Sequence, residues 1–174
     1  MPSVRLLLVV KVAGLTDLCD RLRNSAPGAL IGLEGFSGSG KTAIADEISR
    51  VIPMTVIHTD HFATKFEDPP PYAKCLDVDR LRRAIDERDM SIPCRVEGIC
   101  LRDVLTLVGG TPTLFVYIKR VGENGLWYDG LELEDAADDS RHVAHEPHRS
   151  DIEYHARVRP HELADLLHER VEET

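Results

Sequence analysis

Apolar residues fall in short blocks along this chain, and the blocks alternate between two spacings. Leu30-Ile31-Gly32-Leu33-Glu34, Met54 to Thr59, Ser91 to Glu97 and Thr113 to Ile118 are brief runs rich in β-branched and aromatic side chains, the pattern of strands buried on both faces. Between them apolar positions recur at helical spacing. They are Leu18, Cys19 and Leu22 in a helix that Thr16 can cap and that runs to Asn24, Ile44 and Ile48 after Thr42, Leu81 and Ile85 in a helix opened by Asp77, and Leu101 to Val108. Asn24-Ser25-Ala26-Pro27-Gly28, Pro53 and Gly109-Gly110 punctuate these elements with residues that stop helices and make turns. Strands alternating with helices predict an α/β fold: a parallel sheet with helices on both sides, in three α/β/α layers.

The rest of the chain is less regular. Val4 to Val12 fits a first strand or the start of a helix equally well. Phe66 to Tyr72, with Pro69-Pro70-Pro71, is a loop of local polyproline character that either connects elements or covers substrate. From Lys119 to His148 the pattern weakens into glycines, the acidic run Glu132-Leu133-Glu134-Asp135 and Trp127, which reads as a mobile flap or as an irregular excursion with the tryptophan tucked into the core. Ser150 to Arg159 and Pro160 to Glu172 read as two final helices, the second with Leu163, Leu166, Leu167 and Val171 as its apolar stripe. No internal repeat is visible.

Length and charge narrow the function. At 174 residues the chain fits a single domain, 1–174, able to bury a core without disulfides or a structural metal. A net charge of −9 opposes a general nucleic-acid binder, whose footprint is a basic face, and points to a small partner instead. The longest apolar run, Leu6 to Val10, is too short for a membrane span or a signal sequence, so a cytoplasmic location and no membrane partner are expected. Cys19, Cys75, Cys94 and Cys100 have no C-x-x-C spacing and read as reduced thiols. His142, His145 and His148 recur every third residue, but Glu146-Pro147 breaks any shared helical face, which favours a solvated loop over a metal site.

One segment carries chemistry outright. Gly35-Phe36-Ser37-Gly38-Ser39-Gly40-Lys41-Thr42 meets every fixed position of the phosphate-loop pattern G-x-x-x-x-G-K-[ST], a match that chance yields on the order of once in a hundred chains of this length. It joins a strand to a helix, as the chemistry requires. The glycines let successive N–H groups converge on phosphate oxygens at a helix N-terminus, Lys41 reaches the β- and γ-phosphates, and the Thr42 hydroxyl suits Mg²⁺. A second segment, His58-Thr59-Asp60-His61-Phe62, places Asp60 at the end of the next strand, where ligand crevices of open α/β sheets form. There it can take a proton from an attacking hydroxyl or hold that hydroxyl in line; a capping role is the alternative. A third, Arg95-Val96-Glu97-Gly98-Ile99-Cys100, places Glu97 at another strand end, where it can order a Mg²⁺ shell or form a structural ion pair.

Together these segments resemble the phosphate loop, the "D-x-F" segment and the "EG-hydrophobic" strand end of the uridine kinase and phosphoribulokinase superfamily of small-molecule kinases. The resemblance spans about residues 30 to 118, and Tyr154, Arg159-Pro160 and Ala164-Asp165 are similar to that family's C-terminal segment. It implies a P-loop fold that binds ATP or GTP with Mg²⁺, Asp60 beside the acceptor hydroxyl and Glu97 beside the metal. Two departures stand out. The arginine-rich lid and the acceptor-binding insert of the family are shortened here, with Arg141 and Arg149 in the lid region, and His61 stands where the family often has Asp, Ser or Gly. The resulting expectation is a phosphotransferase that moves the γ-phosphoryl group to a hydroxyl of a small metabolite such as a nucleoside, in a monomer or homodimer. A nucleotide-binding regulator or slow NTPase without a competent acceptor site is the alternative. A metal-binding protein using His142 to His168 is the third reading.

Overall fold

The computed structural model describes residues 9–130, 133 and 145–172. Six strands form one sheet in the order β1-β6-β5-β2-β4-β3, every neighbouring pair parallel. They are β1 Val10–Lys11, β2 Leu30–Glu34, β3 Thr55–His58, β4 Cys94–Glu97, β5 Leu114–Gly122 and β6 Leu166–Glu172. The helices are α1 Leu15–Arg23, α2 Lys41–Val51, α3 Tyr72–Cys75, α4 Val78–Asp86, α5 Leu101–Val108, α6 His148–Val158 and α7 Pro160–Leu163. The predicted α/β sheet with helices on both sides is therefore present.

The strands are buried runs because both faces are covered, so their sequence shows no alternation. On one face Ile31, Leu33, Val116 and Ile118 pack with Leu18 and Leu22 of α1 and Ile44, Ala45 and Ile48 of α2. On the other, Leu30, Ile57 and Val96 pack with Leu81 and Ile85 of α4, Val104 and Leu105 of α5 and Tyr154 of α6. Asp77 caps α4 by accepting the Arg80 N–H at 3.0 Å, and Gly109, with φ of 72°, closes α5 in the left-handed region. Thr16 does not cap α1; Gly14 precedes the helix, and Asp17 from the first turn accepts the Ala13 N–H at 2.9 Å.

One further expectation is overturned, and one element boundary moves. The segment read as a second C-terminal helix is helical only through Leu163; from Leu166 it is a strand between β1 and β5. Its leucines happen to fall at helical spacing, but Asp165 Oδ2 accepts the Phe115 N–H at 2.8 Å and starts the chain along β5. Regular structure also persists past Lys119. β5 runs to Gly122, and Trp127 bridges back to Val121. Polar residues are tolerated there because they have partners: Lys119 lies over the Trp127 ring and Arg120 pairs with Asp129. The acidic run from Glu132, apart from Leu133, lies outside the described residues, as do Arg141 and His142.

Candidate active site

The phosphate loop leaves the carboxyl end of β2 and enters α2 at Lys41. Glycine is required along it for different reasons. A Cβ on Gly35 would lie 2.5 Å from the Ile118 carbonyl oxygen, whereas Gly38 and Gly40 adopt φ of 80° and 83°. The first N–H groups of α2 have no partner within the helix and sit at the positive end of its dipole, which makes the loop an anion cradle. The Phe36 side chain is buried beneath the loop, stacked on His155 with ring centroids 3.7 Å apart, so only its backbone can reach a nucleotide.

Lys41 donates to the Phe36 carbonyl oxygen at 3.2 Å. Burial pushes its pKa below the ordinary lysine value, and the carboxylates of Asp151, Asp60 and Glu97 oppose that shift. These three acids, with Asp129, thus act on one ammonium from separate parts of the chain. Asp60 comes from a 3₁₀ turn, Thr59–Phe62, that follows β3 directly; its Oδ1 accepts a hydrogen bond from the Tyr72 hydroxyl at 2.5 Å. Glu97 is the last residue of β4 and is buried; its Oε1 accepts from Nδ1 of His58, the last residue of β3. Because β3 and β4 pair in register, His58 opposite Glu97, both acids emerge side by side at the carboxyl edge of the sheet.

Gly98 makes this juxtaposition close. A Cβ there would meet the Thr59 hydroxyl oxygen at 1.9 Å, so the chain leaving Glu97 packs directly on the turn that carries Asp60. The donor set also suits Mg²⁺. Glu97 Oε2 is buried without a hydrogen-bond partner among the described residues, and the Thr42 hydroxyl stands on the first turn of α2, two hard oxygens of the type that cation takes. Among the described residues no cluster of three His, Cys, Asp or Glu could hold a metal unaided, so Mg²⁺ would need phosphate oxygens and water to complete its shell.

Sequence reasoning missed several residues. Asp151, on the first turn of α6 and fully buried, accepts the Ser37 N–H at 2.6 Å, and His155 Nδ1 lies 2.8 Å from the Asp151 carbonyl oxygen. Glu34, at the end of β2 just before the loop, accepts from Arg102 Nε at 2.9 Å and from the Tyr154 hydroxyl at 2.7 Å. Burial raises the Glu34 pKa, which the Arg102 charge opposes. These partners lie far apart in sequence and carry no local pattern. Arg149 is exposed on the first turn of α6. Of the histidines proposed as a metal set, His145 is exposed, His148 opens α6 and His168 is buried in β6.

No protein-family model matches the chain, and no curated protein sequence does. Among solved structures, that of a possible uridine kinase from Bacillus stearothermophilus matches with a TM-score of 0.54, covering 88% of this chain and 96% of that one at 16% sequence identity. A candidate fructose transport system kinase from Silicibacter sp. TM1040 covers 88% of this chain and 98% of its own at 18% identity, with a TM-score of 0.44. The first of these likenesses defines the class: the chain has a P-loop kinase-like fold. At such identity the likeness extends to the fold alone, and function has to be argued from the site.

Proposed function

We propose that this protein is a P-loop phosphotransferase that moves the γ-phosphoryl group of ATP or GTP to a hydroxyl of a small metabolite, a nucleoside being the first candidate. The observation that supports this reading is that Asp60 follows and Glu97 ends a pair of neighbouring strands, and that both carboxylates act on Lys41 of the phosphate loop. A protein that only bound nucleotide would have little use for a carboxylate at the position of Asp60.

In this reading the loop amides and Lys41 hold the β- and γ-phosphates, and Thr42 and Glu97 hold Mg²⁺, which when bound neutralises charge on the phosphate oxygens. Asp60 orients the acceptor hydroxyl and takes its proton. The acceptor oxygen forms a bond to the γ-phosphorus, the bond from that phosphorus to the bridging oxygen breaks, and the nucleoside diphosphate leaves with the electron pair. No helix among the described residues is long and apolar enough to cross a membrane.

The test is nucleoside diphosphate release from ATP and GTP with Mg²⁺, measured across a panel of nucleosides, sugars and vitamins, with products identified by mass spectrometry. Acceptor-dependent release that Asp60→Asn cuts to a small residual rate, while nucleotide still binds, is the expected result. Turnover independent of every acceptor would support a slow NTPase instead. That second reading draws on one observation, the Ser37 amide already held by Asp151 within the loop.

A further inference from the structure

Asp60 is an exposed residue on a short turn, yet a catalytic carboxylate has to be held in one orientation. The structure supplies the holder from outside the motif. Tyr72, buried at the start of α3 directly after Pro69-Pro70-Pro71, donates its hydroxyl proton to Asp60 Oδ1 at 2.5 Å and lies 2.7 Å from the Thr59 hydroxyl. Burial, followed by the neighbouring Asp60 carboxylate, pushes the Tyr72 phenol above its ordinary value. The phenol therefore keeps its proton, the carboxylate can only accept it, and the Thr59 hydroxyl is left to donate to Tyr72. Asp60 Oδ2 carries no hydrogen bond among the described residues.

Tyr72 is itself tied down at its backbone. Its N–H donates to Ser150 Oγ at 3.0 Å, and the Ser150 hydroxyl donates to Glu146 Oε2 at 2.5 Å. The next residue, Asp151, reaches in another direction to the Ser37 amide of the phosphate loop. Two consecutive residues at the start of α6 thus fasten the acceptor side and the donor side of the crevice to one rigid helix.

We propose that Tyr72 is a positioning residue: its hydroxyl fixes Asp60 Oδ1 so that Oδ2 alone faces the acceptor hydroxyl, with Ser150 setting where Tyr72 stands. This rests on the phosphotransferase reading, and two kinds of measurement separate its failure from the failure of that reading. The first needs no turnover. A buried phenol donating to a carboxylate gives a slowly exchanging, downfield hydroxyl proton resonance, which should vanish in Tyr72→Phe and move upfield in Asp60→Asn. An unmoved resonance in Asp60→Asn would show that Tyr72 donates elsewhere and would overturn the proposal.

The second uses water as the acceptor, in hydrolysis of Mg²⁺-ATP, together with any acceptor the panel yields. Tyr72→Phe should lower kcat about 10- to 100-fold at unchanged KM for ATP, and Ser150→Ala should lower it less. Adding Tyr72→Phe to Asp60→Asn should cost nothing further, because both remove one function; a purely structural tyrosine would cost the same in either background. Full kcat in Tyr72→Phe overturns the positioning role and leaves the phosphotransferase reading intact. Wild-type kcat in Asp60→Asn, or a wild-type protein that releases no ADP with water or any acceptor, removes that reading and the proposal with it.

Discussion

Asp151 Oδ2 accepts a hydrogen bond from the Ser37 backbone N–H at 2.6 Å, bringing a buried carboxylate of α6 against the glycine-rich loop. The same carboxylate is the largest charge opposing the lowered pKa of Lys41. It therefore has two effects, anchoring the loop to α6 and adding negative charge where the proposed nucleotide would bind. Substitution should separate them. Asp151→Asn keeps an acceptor for the Ser37 N–H and removes the charge, so Mg²⁺-ATP should bind about three- to tenfold tighter at low salt, measured by calorimetry. Asp151→Ala loses the anchor as well and should lower stability by about 1–3 kcal/mol in urea unfolding.

Gly98→Ala should be far more damaging than an ordinary loop substitution. Its Cβ would sit 1.9 Å from the Thr59 hydroxyl oxygen, and neither strand end can retreat, because His58 and Glu97 are paired in register immediately before. The strain, about 1–3 kcal/mol, falls on the turn that carries Asp60. We expect a lowered midpoint in urea and a loss of turnover larger than the loss of nucleotide affinity. Gly125, where a Cβ meets nothing within 4 Å although φ is 77°, is the comparison site; Gly125→Ala should leave turnover unchanged.

Glu97→Gln tests the metal assignment. The amide can still bond His58 but carries no charge for a cation, so the Mg²⁺ concentration giving half-maximal turnover should rise about 10- to 100-fold, with saturating Mg²⁺ restoring part of kcat. An unchanged Mg²⁺ requirement would show that Glu97 serves the His58 pair alone.

Acid should weaken the fold through two histidines. Burial lowers the pKa of His161 from 6.5 to about 4, and burial also lowers that of His168. Between these folded values and 6.5 the unfolded chain binds more protons than the native one, so stability is greatest above pH 6.5 and falls as pH drops toward 4. His161, enclosed by Tyr117 and Trp127, should account for about 2–3 kcal/mol of that loss. Urea unfolding at pH 7 and pH 4.5 should show the difference shrinking in His161→Gln.

The fold was legible where burial writes a local pattern. β2 and β4 are apolar runs because helices cover both of their faces, and α4 shows Leu81 and Ile85 one turn apart because only one side is covered. β6 was misread because Leu163, Leu166 and Leu167 mimic a helical stripe, while what makes the segment a strand is the pair of neighbours it finds in β1 and β5. The site divides the same way. The phosphate loop, Asp60 and Glu97 belong to compact motifs. Tyr72, Ser150, Asp151 and the His58 partner of Glu97 are fixed by contacts across the fold, such as the one from Ser37 to Asp151, 114 positions away, and no window of sequence contains both ends.

Among the described residues β1 pairs with β6 alone, so a strand made early in synthesis waits for one made much later. During synthesis β5 would be complete while the edge that β6 later covers still offers unpaired backbone groups, an opening for another chain to add a strand. Non-local closure of this kind slows folding. A Cβ on Gly40 would lie 2.7 Å from the Arg170 guanidinium of that late strand, so the glycine-rich loop takes its final surroundings only when β6 is in place. A ribosome-bound chain would have the loop sequence long before it had the site.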